Sequence, residues 1–537
     1  MISNKKSLLA LSVASALALS GCFSDDDNNV VIPPPPDPTD PVTVIQPPED
    51  LVTEQPAKVF SVNVVNKANS DVLEGAVVKF LVNGQPATVI TDVNGTEISS
   101  VTVDDTGNFN FFSKEGASGS VTAVVSQSGY VSKSFIIDLS TEVEEGFIDI
   151  PLEFGLVAAN TAGLKSAQQT ATVASATTSA AVTANASEAG ASSTVTVPAN
   201  TVLRDADDEP VTGTEITLDV LAADASNTDA TAIIPEGLNA NSTTQVKTTL
   251  GVTNITMSDE NGTKIKNFSS PINVSVNLPA DSGVTAGDTL SISSHNEDTG
   301  TWSSETNMAT VGAANTDGSF PASFETDHLT FFSIGKNAPL CTAGITLRLV
   351  GNIPARGLAI ELSSTDGTIG SYTRKEVKAI IPASSAARYG ISSNATAKVR
   401  LYDYSGNVWY NSQTEVPVCG EVTANIESTV ETFDKNVTLN GVCAQDATVS
   451  ADLSGSIVTY AKNGKAAGLA QAQGDSTFKL SGIEAGASYK VRATIRGAKV
   501  DGGGQSQTFT FENVQNDNNA LTGTVNIECN EVPVTGS

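Results

Sequence analysis

Histidine is nearly missing from this chain of 537 residues: His295 and His328 are the full complement, which leaves little for a metal centre or a catalytic triad to draw on. Basic residues are also scarce, 29 against 59 acidic ones, and the formal charge of -30 repels phosphate backbones, so nucleic acid is excluded as a partner. The acidity sits in turns such as Asp205, Asp207, Asp208 and Glu209 and reads as solubility. Of five cysteines none has the close pair spacing of a zinc site. Paired catalytic carboxylates and a serine nucleophile elbow are lacking too, so the chain reads as non-enzymatic, with no cofactor and no metal.

Thr, Ser, Ala, Val, Asn and Gly dominate, with charged residues at 16% and aromatics at 5%. That balance favours strands and polar turns over amphipathic helices. The length predicts about three to five domains. The expected fold class is all-β: tandem β-sandwich domains, Ig-like or transthyretin-like, joined by linkers after a cleaved signal peptide.

Lys5 and Lys6 precede an apolar run from Leu8 to Leu19 that is too short to stay in a bilayer as a permanent span. The run ends in Leu19-Ser20-Gly21-Cys22, which resembles the lipobox of bacterial lipoproteins. The resemblance implies that residues 1–21 are removed and that Cys22 carries diacylglycerol and acyl chains such as palmitate. Each buried methylene contributes about 0.8 kcal/mol, so two or three chains hold a membrane stably. In Gram-negative lipoproteins Asp directly after the cysteine commonly retains the protein in the inner membrane. Phe23 stands there in this chain, which implies outer-membrane delivery, facing the periplasm or the cell surface. Residues 22–56, with Asp25-Asp26-Asp27 and Pro33 to Pro36, are too polar and proline-rich to build a core and read as an extended, disordered tether.

Residues 57–153 alternate in short runs, Phe60-Ser61-Val62-Asn63-Val64 and Ser120-Val121-Thr122-Ala123-Val124-Val125, with turns at Asn83-Gly84, Asn94-Gly95 and Thr106-Gly107. Leu73-Glu74-Gly75-Ala76-Val77-Val78, Asp104-Asp105-Thr106-Gly107-Asn108-Phe109 and Gly129-Tyr130 resemble the carboxypeptidase regulatory-like, transthyretin-like fold. The likeness implies an accessory β-sandwich, some relatives of which bind carbohydrate. Residues 154–193 are Ala, Ser and Thr with few large apolar side chains and read as a linker.

Residues 194–338 form a second β domain. Its end, Asn296-Glu297-Asp298-Thr299-Gly300-Thr301-Trp302-Ser303 followed by Thr326-Asp327-His328-Leu329-Thr330-Phe331-Phe332, resembles the GPS motif that closes GAIN-type domains. In cleaving relatives a hydroxyl attacks the carbonyl before it, giving an ester that water hydrolyses. The resemblance would make His328 the base and Thr330 the nucleophile, with scission between Leu329 and Thr330. The cysteine pairs that brace the receptor motif are missing here. We prefer the plainer reading, in which His328 caps a turn while Leu329, Phe331 and Ile334 pack a last strand, and Trp302 belongs to the core.

Two further sandwich-sized units follow, at 339–430 and 436–531, each with a cysteine near both ends. Pairing Cys341 with Cys419 and Cys443 with Cys529 would tie first strand to last in each unit, and Cys419 with Cys443 is the main rival. Phe478-Lys479-Leu480-Ser481-Gly482-Ile483-Glu484-Ala485-Gly486 and Tyr489-Lys490-Val491 again resemble the regulatory-like fold. Trp409 and Tyr410 are a candidate glycan platform, although strand core is the preferred reading.

Taken together these features describe a membrane-anchored envelope or cell-surface lipoprotein acting as an interaction, adhesion or scaffolding module, with the lipid bilayer and envelope or surface proteins as partners. Two alternatives remain: a carbohydrate-binding surface protein, and a module that cleaves itself at Leu329/Thr330.

Overall fold

The computed structural model describes residues 43–188, 190–428 and 430–534; the signal peptide, Cys22 and the tether up to residue 42 lie outside the described residues. The chain divides into a small unit of its two ends, in which residues 43–44 and 531–533 are extended, and a body from Ile45 to Asn530. Among the described residues the helical segments are two three-residue turns, Thr231–Ile233 and Ala383–Ser385. Among the described residues no helix is long and apolar enough to cross a membrane. The fold is all-β, built of β-sandwiches.

The strand Val59–Asn66 shows how each module is made. Phe60, Val62 and Val64 point into the core of the first sandwich with Phe80, Ile90 and Phe111. The strand lies between Asn108–Ser113, antiparallel, and Asp149–Leu156, parallel, so the first and last strands of the module are neighbours. The facing sheet is Gln85–Pro86, Val77–Val82, Ser120–Ser126 and Lys133–Asp138, in that order.

The same plan recurs twice. In the third module Ile345–Val350 runs parallel to Gly420–Asn425, over a sheet ordered Gly367–Thr373, Leu358–Ser364, Thr396–Tyr402 and Val408–Asn411. In the last module Thr432–Cys443 runs parallel to Leu521–Ile527, over Gly468–Leu469, Ile457–Lys462, Tyr489–Thr494 and Ser506–Phe511. Parallel neighbours put like ends side by side. Cys341 and Cys419, each just before its strand, are therefore bonded with Cα atoms 5.7 Å apart, and Cys443 and Cys529, at the far ends of theirs, with Cα atoms 5.4 Å apart.

The central module is one long antiparallel sheet folded over its own core, and it corrects the expected linker at 154–193. Residues 149–156 belong to the first sandwich, while Leu164–Ala174, Val182–Glu188 and Ala191–Val197 are strands of the central sheet. Val182, Ala184, Ala186, Ala191, Val195 and Val197 alternate inward and are buried. Alanine supplies enough bulk where two layers approach closely, so small side chains conceal a period of two.

The tether is corrected in part. Ile45 and Leu51 lie against the core of the last module, Val52 N–H donates to the Arg496 carbonyl at 3.0 Å, and Arg496 donates to the Glu54 carbonyl at 2.7 Å. Gly497, at φ +75°, makes this approach possible: a Cβ there would sit 1.7 Å from the Asp50 carbonyl oxygen.

The modules are also not spaced apart by linkers. Val59, Ser61, Asn63 and Val65 point away from their own core and are nonetheless buried, because other parts of the body cover them. Asn63 donates to the Ala467 carbonyl at 2.9 Å and accepts from the Ala467 N–H at 2.8 Å, joining residues 404 apart. Val59 and Val93 meet Ile457 in a small apolar seam beside it. Asn63→Ala leaves both Ala467 groups buried without partners and should cost about 1–3 kcal/mol of stability, read from urea denaturation.

Candidate functional site

The seams enclose a cavity of about 530 Å³ among the first, central and third modules. Its charged walls come from strands whose pattern is otherwise apolar. Lys133 opens the strand Lys133–Asp138, is 4% exposed, and donates to the Ala232 carbonyl of the central module at 2.8 Å. Burial pushes its ammonium down to about 8, against the pull of Glu236. Glu236 accepts from the Ile136 N–H at 2.8 Å, and burial pushes its carboxyl up.

Across the cavity, Asp149 and Glu153 from the last strand of the first module meet the third module. Arg374 holds Asp149 through both carboxylate oxygens, at 2.8 and 3.0 Å, while its guanidinium lies 3.8 Å over the Phe147 ring. Lys67 pairs with Glu361 at 2.8 Å, and Lys378 with Glu144 at 3.2 Å. Tyr402 donates to Glu153. Burial pushes Glu153 up to about 7, with the Glu361 charge adding to the rise and the Tyr402 hydroxyl opposing it. Burial opposes ionisation of Glu361 as well, but the Lys67 ammonium overrides it and holds that carboxyl low. Asp366, accepting the Thr249 N–H, is pushed up to about 6 by burial. Paired and half-paired charges of both signs can orient a polar ligand or latch modules together. No cluster of three or more His, Cys, Asp or Glu suited to a metal occurs among the described residues.

The sequence-derived candidates lie elsewhere. Thr330 is buried and its hydroxyl donates to the His295 carbonyl, while its own carbonyl accepts the Ile255 N–H at 3.1 Å. His328 turns its Nδ1 to Asp327 at 3.1 Å and its Nε2 to Glu305 at 3.5 Å. No hydrogen bond joins His328 to Thr330 among the described residues, and neither Leu329 nor Thr330 adopts positive φ. Leu329 packs in the central core. Burial pushes His295 down to about 4, and its ring stands 5.1 Å from that of Trp302.

Trp302 donates to the Glu236 carbonyl at 3.1 Å and meets Phe331 edge-on at 5.9 Å, in the seam between the first and central modules. Trp409 donates to Asp403 at 3.1 Å and packs with Tyr410 on the third core. Sequence reasoning missed the cavity residues altogether. One signal was present, a lysine on the same strand face as the core residues Phe135 and Ile137, but its nearest partner, Ala232, lies 99 residues away.

No protein-family model matches the chain, and no curated protein matches it. Among solved structures the chain is similar to the Bacillus anthracis TIE protein, at 10% identity over 78% of this chain and 56% of that one, with a TM-score of 0.14. It is similar to a streptococcal ancillary pilin at 12% identity, over 46% and 94% of the two chains, with a TM-score of 0.15. It is also similar to the full-length major pilin SpaD of Corynebacterium diphtheriae at 9% identity, over 88% and 98%, with a TM-score of 0.14. This chain thus spans little more than half the length of the TIE protein. At such TM-scores the likeness carries no argument, and the architecture rests on the strand pairing above.

The seam carboxyls set a pH dependence. Glu153 keeps its proton in the folded state up to about pH 7, whereas its ordinary value is 4.5, so folding stability falls as pH rises between those two values. Asp366 acts with the same sign from its ordinary 3.8 to about 6. Lys133 has the opposite effect at higher pH, adding stability as pH rises from about 8 toward 10.5. Thermal melts of Glu153→Gln should lose the part of the fall between pH 6 and 7; an unchanged profile would refute the assignment.

Proposed function

We propose that this chain is a lipid-anchored envelope or cell-surface protein that works by interaction, as an adhesion or scaffolding module, and not by catalysis. The observation that carries the reading is the joining of four β modules into one body through hydrogen bonds and ion pairs that cross the seams, with Asn63 on Ala467 and Arg374 on Asp149 as the buried examples. A body built this way holds its surfaces in fixed relation, which suits presentation of a binding face. Two disulfides suit an oxidising compartment. Leu19-Ser20-Gly21-Cys22 supports acylation, and Phe23 supports outer-membrane delivery.

Radiolabelled palmitate should enter the protein in growing cells, and Cys22→Ser should abolish the label and release the protein from the membrane fraction. Mature protein free in the medium with an unmodified thiol would overturn the anchoring. Protease shaving of whole cells then distinguishes a surface from a periplasmic face. Because the Thr330 hydroxyl is committed to the His295 carbonyl, the purified protein and its Thr330→Ala variant should each give one uncut mass; two fragments in the former alone would restore the self-cleaving reading.

A further inference from the structure

Residues 45–57 cross the last module before the chain enters the first. Pro47, Pro48 and Pro56 lack the N–H that a strand needs, so this segment is held at separate points instead of zipping onto a sheet edge. Besides the bonds that Val52 and Glu54 make to Arg496, the Gln55 amide donates to the Ser454 carbonyl and, at 3.2 Å, to the Ser456 carbonyl. Ile45 and Leu51 are only half-buried against the last core. Two glycines form the seat. A Cβ on Gly455 would stand 2.2 Å from the Val52 carbonyl oxygen, and one on Gly497 would stand 1.7 Å from that of Asp50. Backbone therefore lies directly on backbone, under few bonds and little apolar cover.

The parts on either side of this segment are held more firmly. The Lys58 ammonium donates to the Leu139 carbonyl of the first module at 2.8 Å and fixes where the segment ends. Val59–Asn66 and Asp149–Leu156, the first and last strands of that module, run parallel, with Val59 beside Asp149 and Asn66 beside Leu156. Tension that enters at Val59 and leaves past Leu156 acts on opposite ends of the pair, so its eight residue pairs resist together. The last module is closed by the Cys443–Cys529 bond and stays a fixed seat.

We infer that residues 45–57 are a tension-relief strap: when a partner held by the body pulls against the membrane anchor, the strap peels from the last module and lengthens the tether while the modules stay folded, and it reseats when the tension falls. The inference rests on the reading of the chain as an anchored adhesion protein. Contacts that are few, local and half-exposed open without unfolding the rest of a protein. Thirteen residues released from the seat add at most about 45 Å of chain, whereas opening the first module adds roughly 300 Å.

The test pulls the chain that begins at Cys22 in magnetic tweezers. The other four cysteines are bonded in pairs, so one handle is joined to the Cys22 thiol, and the second to an azidophenylalanine placed at Ala180, exposed in a loop of the central module. As force rises, the first event should be one reversible step of at most about 45 Å, at lower force than any longer step. Gly497→Val drives a side chain into the Asp50 carbonyl and should abolish the short step, leaving the longer ones at their former force. Should that variant unfold, Leu51→Ser, which alters only the strap, still decides, because it should lower the force of the short step alone. A first event of roughly 300 Å, or a short step that neither substitution changes, overturns the inference. The handle is attached to the purified protein, so the result does not depend on acylation in cells, and the strap and the palmitate anchor can fail separately.

Discussion

A charge taken out of water at the seam between two folded modules has to find its partner on the other side, and most of this architecture follows from that requirement. The first module is where the partners converge. Its opening strand offers Asn63 to the last module, its closing strand offers Asp149 and Glu153 to the third, and its edge strand offers Lys133 to the central one. Each of these groups would be costly buried alone. Docking therefore satisfies polar groups that no single sandwich can satisfy, beside the apolar clusters that the seams also bury.

Three of the four consecutive modules close first strand on last strand. A parallel pair at the margin fixes where each sandwich begins and ends, over eight residues in the first module and seven in the last. In the third and last modules a disulfide reinforces the same pair, which limits the unfolded chain as well as the folded one. The first module has no cysteine within it; its closing strand is instead held from outside by Arg374 and Tyr402. One topology is thus stabilised by covalent means in two places and by docking in the third.

The cavity is a consequence of this packing of edges. Sandwiches leave unpaired strand edges, which natural proteins usually shorten, charge or cover. Here Glu236 covers one and Pro151 blunts another. The perturbed carboxyls of Glu153 and Asp366 stand on the same walls, so the protonation state of the seams and the shape of the cavity are coupled by position.

The alternation in Phe60-Ser61-Val62-Asn63-Val64 and the Gly-centred turns were enough to establish strands and an all-β class, because a period of two is written locally. The cysteine positions were enough to pose the pairing, because parallel first and last strands bring like ends together. The linker assignment at 154–193 failed because alanine at inward positions resembles a polar stretch in composition and differs only in its alternation. What Asn63, Lys133, Glu153 and Arg374 do could not be read from the sequence, since each looks like an ordinary polar residue until a strand hundreds of residues away, or in another module, is laid against it. Local periodicity determines which face of a strand is apolar; only the docked tertiary structure decides what the other face touches, because desolvation and hydrogen bonding across a seam depend on two surfaces at once.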